Sequence, residues 1–196
     1  MSTTPDLRPA ARIMAELAEP ITDDMLERPT PCSEYRLGDI LDHCVGLTHA
    51  FTAAARKQAV AGLDRPPPPG RLENLAPDWR TRLPRQLESL AEAWRDPSAT
   101  EGMAQVGGVT MPAAVMQLVA LDEVFVHGWD IAASTGQSFQ PDEHSLDTVH
   151  GFLTQSVADS PGGTPGLFGP VVTVPREAPL LERTIALTGR DPAFGR

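Results

Sequence analysis

The chain has 196 residues, enough for one domain with a sizeable core. Its 26 acidic residues outnumber 16 basic ones for a formal charge of −10, which argues against a nucleic-acid groove or an anionic membrane surface and leaves small molecules or proteins as partners. The opening MSTTPDLRPAARIMAELAEP lacks the continuous apolar run of a signal peptide, and no later run approaches a membrane span, so a cytoplasmic protein is expected.

Leu7, Ala10, Ala11, Met14 and Leu17 have helical spacing, which predicts a first amphipathic helix over Pro5–Leu17, ended by Pro20. The stretch Ile21–Glu34, with PTPC at Pro29–Cys32, reads as a rigid connection whose prolines deny backbone donors. A long helix is expected from Leu37 to about Ala61, with Leu37, Ile40, Leu41, Cys44, Thr48 and Phe51 on its core-facing stripe. RPPPPG (Arg65–Gly70) reads as a stiff surface linker between helices rather than between domains. Pro77 opens a helical pattern through Trp79, Leu83, Leu87, Leu90, Ala91 and Trp94, with a kink or restart at Pro84 and a stop at Asp96–Pro97.

Glu101–Gly108 alternates weakly and fits a short strand or hairpin. Thr110 is the expected N-cap of a nearly all-apolar helix over Met111–Ala133, closed by Gly136 and lying inside a bundle. Pro141–Asp142 opens another helix through Val157, Ser160–Gly166 is a loop, Val171–Val174 could be a short strand, and Ala178–Leu187 is a last helix closed by Gly189. This divides the chain into a helical bundle over residues 1–160 and a C-terminal extension, 161–196, packed on the same domain.

LDEVFVHGWDIA (Leu121–Ala132) places acids and a histidine in an otherwise apolar helix, where an unpaired carboxylate costs several kcal/mol. Glu123 and His127 are four apart, share a face, and can grip one ion. Asp130 is placed to bond the ring nitrogen of His127 that faces away from that ion, whereas Asp122 points elsewhere and is expected to be solvated. A mononuclear site needs a further ligand from His43, His49, His144, His150, Cys32 or Cys44. On the helical wheel His43 borders the apolar stripe and can look into the bundle, while His49 should face water. His144 and His150 read as surface residues or outer neighbours of a site, Cys44 as core and Cys32 as a packed loop thiol. A lone ExxxH pair on a helix is more often a solvated or salt-bridged pair than a metal site. The apolar setting and an inward-facing histidine nearby weigh toward a metal, since two histidines and one carboxylate form a zinc or non-haem iron ligand set.

ILDHCVG (Ile40–Gly46), EVFVHGWDIA (Glu123–Ala132), PTPC (Pro29–Cys32) and VPREAPLLERTIALTGRDPAF (Val174–Phe194) together resemble an actinobacterial metal-binding family. It is related to the N-terminal domain of mycothiol-dependent maleylpyruvate isomerase, within the DinB-like superfamily, and the resemblance runs over nearly the whole chain. It implies an all-α fold, a DinB-like four-helix bundle with a divalent metal at one end held by His43, Glu123 and His127. Tyr35 stands, after Ser33 and Glu34, where the family usually has a tryptophan, a change at the expected pocket rim. The isomerase itself has a further C-terminal domain contributing to its active site, which this chain is too short to contain, so activity on maleylpyruvate is not expected.

Three protein ligands leave a coordination position open, the arrangement of a catalytic site. The leading expectation is an enzyme that uses the metal, zinc first and nickel, iron or manganese as alternatives, to activate mycothiol for transfer to an electrophile or for thiol-assisted isomerisation. The alternatives are a non-enzymatic metal- or small-molecule-binding bundle and a metallohydrolase. Trp129 could wall the pocket or be plain core. Arg190 and Asp191 are expected to cap the last helix and tie down the terminus rather than fold back toward the metal end. Exposed apolar flanks on such bundles are compatible with a homodimer.

Overall fold

The apolar face of the first helical segment buries Ala10, Ala11, Met14, Leu17 and Ala18 in α1 (Arg8–Ala18) of the computed structural model, which describes residues 5–60, 62, 64–158, 162–163 and 168–195. Next come α2 (Leu37–Ala55), α3 (Trp79–Ala93), the strands β1 (Met103–Val106) and β2 (Val109–Pro112), then α4 (Ala113–Thr135), α5 (Glu143–Ala158) and α6 (Leu180–Leu187). Helix α2 packs on α3, α3 on α1, α1 on α4 and α4 on α2, which closes a four-helix ring around one hydrophobic core. Helix α5 lies on α4, and α6 lies on α5. The protein is thus helical, with a small two-stranded antiparallel sheet and a C-terminal helix beyond the bundle. No helix among the described residues is long and apolar enough to cross a membrane.

Helix α4 is apolar nearly all round because it has neighbours nearly all round: α1, α2, α5 and the hairpin each cover part of it. It begins at Ala113 rather than near Thr110, which lies in β2 opposite Gln105. The cause is the pair Gly107–Gly108, whose φ values of 60° and 80° make the tight turn that folds β2 back on β1. Helix α2 stops at Ala55, short of the expected Ala61, a residue outside the described ones. There Lys57 adopts φ 53°, and the N–H groups of Lys57 and Gln58 close back on the carbonyls of Ala54 and Ala53 at 3.1 and 2.9 Å. The Lys57 ammonium then donates to the carbonyls of Ala99 and Glu101, tying this helix end to the approach to the hairpin.

Helix α3 runs unbroken through Pro84. Val171–Val174 forms no strand; one backbone bond, from Val172 N–H to the Ala186 carbonyl at 2.9 Å, holds it along α6. The loop read at Ser160–Gly166 lies largely outside the described residues.

The proline linker delivers Gly70–Leu72 across the first turns of α2. Leu72 N–H donates to Asp39 Oδ1 at 2.7 Å, Arg71 N–H to Asp42 Oδ2 at 3.0 Å, and Gly70 N–H to Tyr35 Oη at 3.3 Å. At Gly70 a Cβ would collide with the Asp39 carbonyl oxygen and stand 2.9 Å from the Cβ of His43. This strap therefore packs on the turn that carries His43. Gly70→Ala is expected to overpack it at a cost of about 1–3 kcal/mol, lowering Tm by roughly 2–4 °C per kcal/mol. A thermal melt followed by circular dichroism checks this, and an unchanged Tm would show that the strap does not seat so closely.

Candidate metal centre

Glu123 and His127 project from one face of α4, a turn apart, and His43 projects from the second turn of α2, which packs beside it. Their ligand atoms all lie within 4.8 Å of one another. Glu123 Oε2 stands 3.4 Å from His43 Nε2 and 3.3 Å from His127 Nε2. A charge-assisted hydrogen bond closes to about 2.7–2.9 Å, so these are long contacts for a carboxylate gripping two imidazoles. They match another geometry: donors at about 2.0–2.1 Å from a tetrahedral zinc ion stand roughly 3.3–3.4 Å from each other. The donor types and the two distances from Glu123 fit a divalent cation.

The groups around these atoms favour that use. His127 Nδ1 lies 2.9 Å from Asp130 Oδ2, and a carboxylate there accepts a hydrogen bond from Nδ1–H, which turns Nε2 toward Glu123 and His43; in the neutral imidazole that nitrogen carries the lone pair a cation needs. Asp130 is fully buried and held on its other side by Arg190, whose Nε donates to Oδ1 at 2.7 Å and Nη2 to Oδ2 at 2.8 Å. Burial would raise the Asp130 carboxyl, but the Arg190 charge and the hydrogen bonds from His127 and Arg190 hold it below its ordinary value. Burial by itself would lower the His127 imidazole; Asp130 and Glu123 instead raise it to about 9. Glu123 is pushed up by burial and more strongly down by the two imidazoles facing it, so its carboxylate stays ionised.

Arg190 corrects the sequence reading. It does not cap α6 but reaches back, 7 % exposed, into the bundle, while Asp191 alone serves the terminus by accepting from the Ala193 N–H. Asp122 is a second correction. Expected in water, it is 3 % exposed, and its Oδ1 is buried with no hydrogen-bond partner among the described residues. Burial pushes its carboxyl up to about 8, with the Glu123 charge adding and Arg190 and His127 opposing.

Both residues border a cavity of about 390 Å³ that also includes His43, Glu123 and His127, a size in the range of small-molecule sites, about 300–1,000 Å³. Cys32, Tyr35, Val126 and Phe168 line it as well. Tyr35 thus sits at the pocket, its ring centroid 5.7 Å from that of His43, whereas Trp129 is packed in the hydrophobic core. Cys32 is half-buried in the cavity wall rather than packed away from it; burial raises its thiol, and Arg190 partly offsets this. Cys44 is core, and its thiol is pushed well up by burial. His49 and His144 are exposed, and His150 bonds Thr184 on α6 at 3.0 Å.

Residues 7–132 match the family model described as the mycothiol maleylpyruvate isomerase N-terminal domain, and the chain belongs to that family. It is also similar to uncharacterized proteins from two strains of Mycobacterium tuberculosis, each 26% identical over 177 residues that cover 90% of this chain and 91% of theirs. No solved structure matches the chain.

Asp122 yields a pH test. In the fold its carboxyl stays neutral up to about 8, whereas in the unfolded chain it ionises above its ordinary 3.8. Between these limits the folded state holds the extra proton, and stability falls as pH rises. In chelator-treated protein Asp122→Asn removes this slope, at most about 1.4 kcal/mol per pH unit. The Tm of the variant should therefore gain on wild type from about pH 5 to about pH 8. A pH-independent difference, reflecting only an unpaired amide, would refute a neutral carboxyl.

Proposed function

We propose that this member of the mycothiol maleylpyruvate isomerase N-terminal domain family is a metal-dependent enzyme that activates a low-molecular-weight thiol, mycothiol, for transfer to an electrophile or for thiol-assisted isomerisation. The observation that carries the reading is the convergence of His43, Glu123 and His127 at a cavity of small-molecule size. Three protein donors leave a coordination position for a ligand. Zinc is the first candidate, with nickel, iron and manganese as alternatives, because all accept nitrogen and oxygen donors. A divalent cation held there supplies a Lewis-acid position beside which a thiol gives up its proton near neutral pH.

The chain's own groups do the rest. Glu123 brings one negative charge against a dipositive ion, so the site keeps a net positive charge that attracts a thiolate. Asp130 holds the Nδ1 proton of His127 and keeps Nε2 turned inward. Val126 and Phe168 give the cavity an apolar wall for the carbon skeleton of an electrophile, and Tyr35 offers a hydroxyl near its rim. With a halogenated arene as the electrophile, a carbon–sulfur bond forms and a carbon–halogen bond breaks; halide and the thiol proton leave to solvent. In the isomerisation the thiol adds to an activated double bond and is later eliminated, so it returns unchanged.

Purified protein is expected to carry a divalent ion in stoichiometric amount by elemental analysis, and to consume mycothiol in the presence of a halogenated dinitroarene. Both His43→Ala and His127→Ala should reduce metal content to background and abolish thiol consumption while the far-ultraviolet circular dichroism stays helical. Stoichiometric metal whose coordination responds to no thiol would make the protein a binding module. Protein that takes up no metal on reconstitution would sink the site.

A further inference from the structure

The family match ends at residue 132, so it contains His43, Glu123, His127 and Asp130 but not Arg190, which comes from the segment after α6. The shape of that segment is specific. Thr188 caps the last turn of α6 through its hydroxyl on the Ile185 carbonyl at 2.7 Å. Gly189 then takes φ 81° against the backbone of Gly169, where a Cβ would meet the Gly169 carbonyl carbon at 2.6 Å. This left-handed step turns the chain inward, and Arg190 closes on Asp130, 60 residues earlier in sequence, through two parallel bonds.

We propose that Arg190 is a positioning residue of the metal site: its guanidinium fixes the plane of the Asp130 carboxylate, and through it the ring orientation and tautomer of His127, so that cation affinity depends on the C-terminal segment. The inference rests on the reading of His43, Glu123 and His127 as metal ligands. The side chain of Asp130 accepts three hydrogen bonds among the described residues, two from Arg190 and one from His127. Oδ2 is shared between Arg190 Nη2 and His127 Nδ1, so the same fork that neutralises the carboxylate also aims its remaining lone pair at the imidazole. Without Arg190 a fully buried carboxylate loses both bonds that orient it. It is then free to turn, and Nδ1 no longer has a fixed acceptor. The Nε2 lone pair is fixed only as firmly as Nδ1 is.

Cobalt(II) is a suitable probe, since its visible absorption reports ligand geometry as well as occupancy. Arg190→Met is expected to weaken cobalt binding by about 10- to 100-fold and to alter the visible bands. Arg190→Lys should fall between the methionine variant and wild type, because an ammonium neutralises Asp130 but cannot clamp both oxygens. Arg80→Met removes an arginine that bonds the Ile21 carbonyl and Asp23 outside the cavity, and it should leave both affinity and spectrum unchanged. If the methionine variant fails to fold, the lysine variant decides alone through its affinity and bands. Wild-type protein that binds no cobalt would overturn the metal reading and this inference with it. Wild-type binding matched in affinity and spectrum by the folded Arg190 variants would overturn only the role of Arg190.

Discussion

The buried carboxylate of Asp130 is the constraint on which the rest of this architecture depends. A fully buried charge must be paired and hydrogen-bonded, and here both demands are met from two directions: by Arg190 of the C-terminal segment and by His127 of its own helix. Removing one partner of such a pair costs about 3–5 kcal/mol, because the other is left uncompensated in low dielectric. The pair thereby ties the chain after α6 to the middle of α4. It also explains why a helix as apolar as α4 tolerates a histidine at this depth: each of its ring nitrogens faces a carboxylate.

Two adjacent acids on that helix show how environment separates identical chemistry. Glu123 faces two imidazoles and is held ionised, while Asp122 is buried beside the like charge of Glu123 and is held neutral. Arg190 lowers the Asp122 carboxyl, but its two hydrogen bonds are spent on Asp130. The cavity therefore presents the ionised oxygen of Glu123 between two imidazoles and a neutral carboxyl one residue away along the helix. A buried polar atom without a partner is costly in an apolar interior. The Asp122 oxygen borders the cavity, where a ligand's hydrogen-bond donor would relieve that cost.

Much of this was legible in the sequence, and the misses have physical causes. The spacing of Glu123 and His127 and the wheel position of His43 bring those residues together because helical period is local and the ring of four helices does the rest. HGWD lies within the stretch that matches the family, and GRDP lies beyond it. The partner of Asp130 was not readable, since pairing across 60 residues depends on the path of a loop, and a helix-terminal arginine more often serves its own helix. Asp122 was misread because a wheel gives direction but not what stands there: the cavity it borders is walled in part by Phe168–Gly169 and Thr188–Arg190 of the C-terminal segment. Gly107–Gly108 did carry a signal, two glycines between alternating residues, but the apolar run that follows made a helix cap at Thr110 the stronger local reading.

Regular and irregular parts of the fold carry different halves of the site. The three donors and Asp130 stand on α2 and α4, whose relative placement is set by a close-packed core and shifts little. The cavity around them is walled by connections: Pro31–Tyr35 from the PTPC loop, Phe168–Gly169 and Thr188–Arg190 from the C-terminal segment. The strap at Gly70–Leu72 is held by Tyr35, Asp39 and Asp42, so the loop wall and the first turns of the helix bearing His43 are braced by one set of hydrogen bonds. Under the proposed function, a helix-borne donor set with loop-borne walls would let ion and substrate be chosen separately. Changing Tyr35 or Phe168 reshapes what fits without moving a donor, whereas Arg190 belongs to both halves, being a wall of the cavity and, through Asp130, a brace of His127.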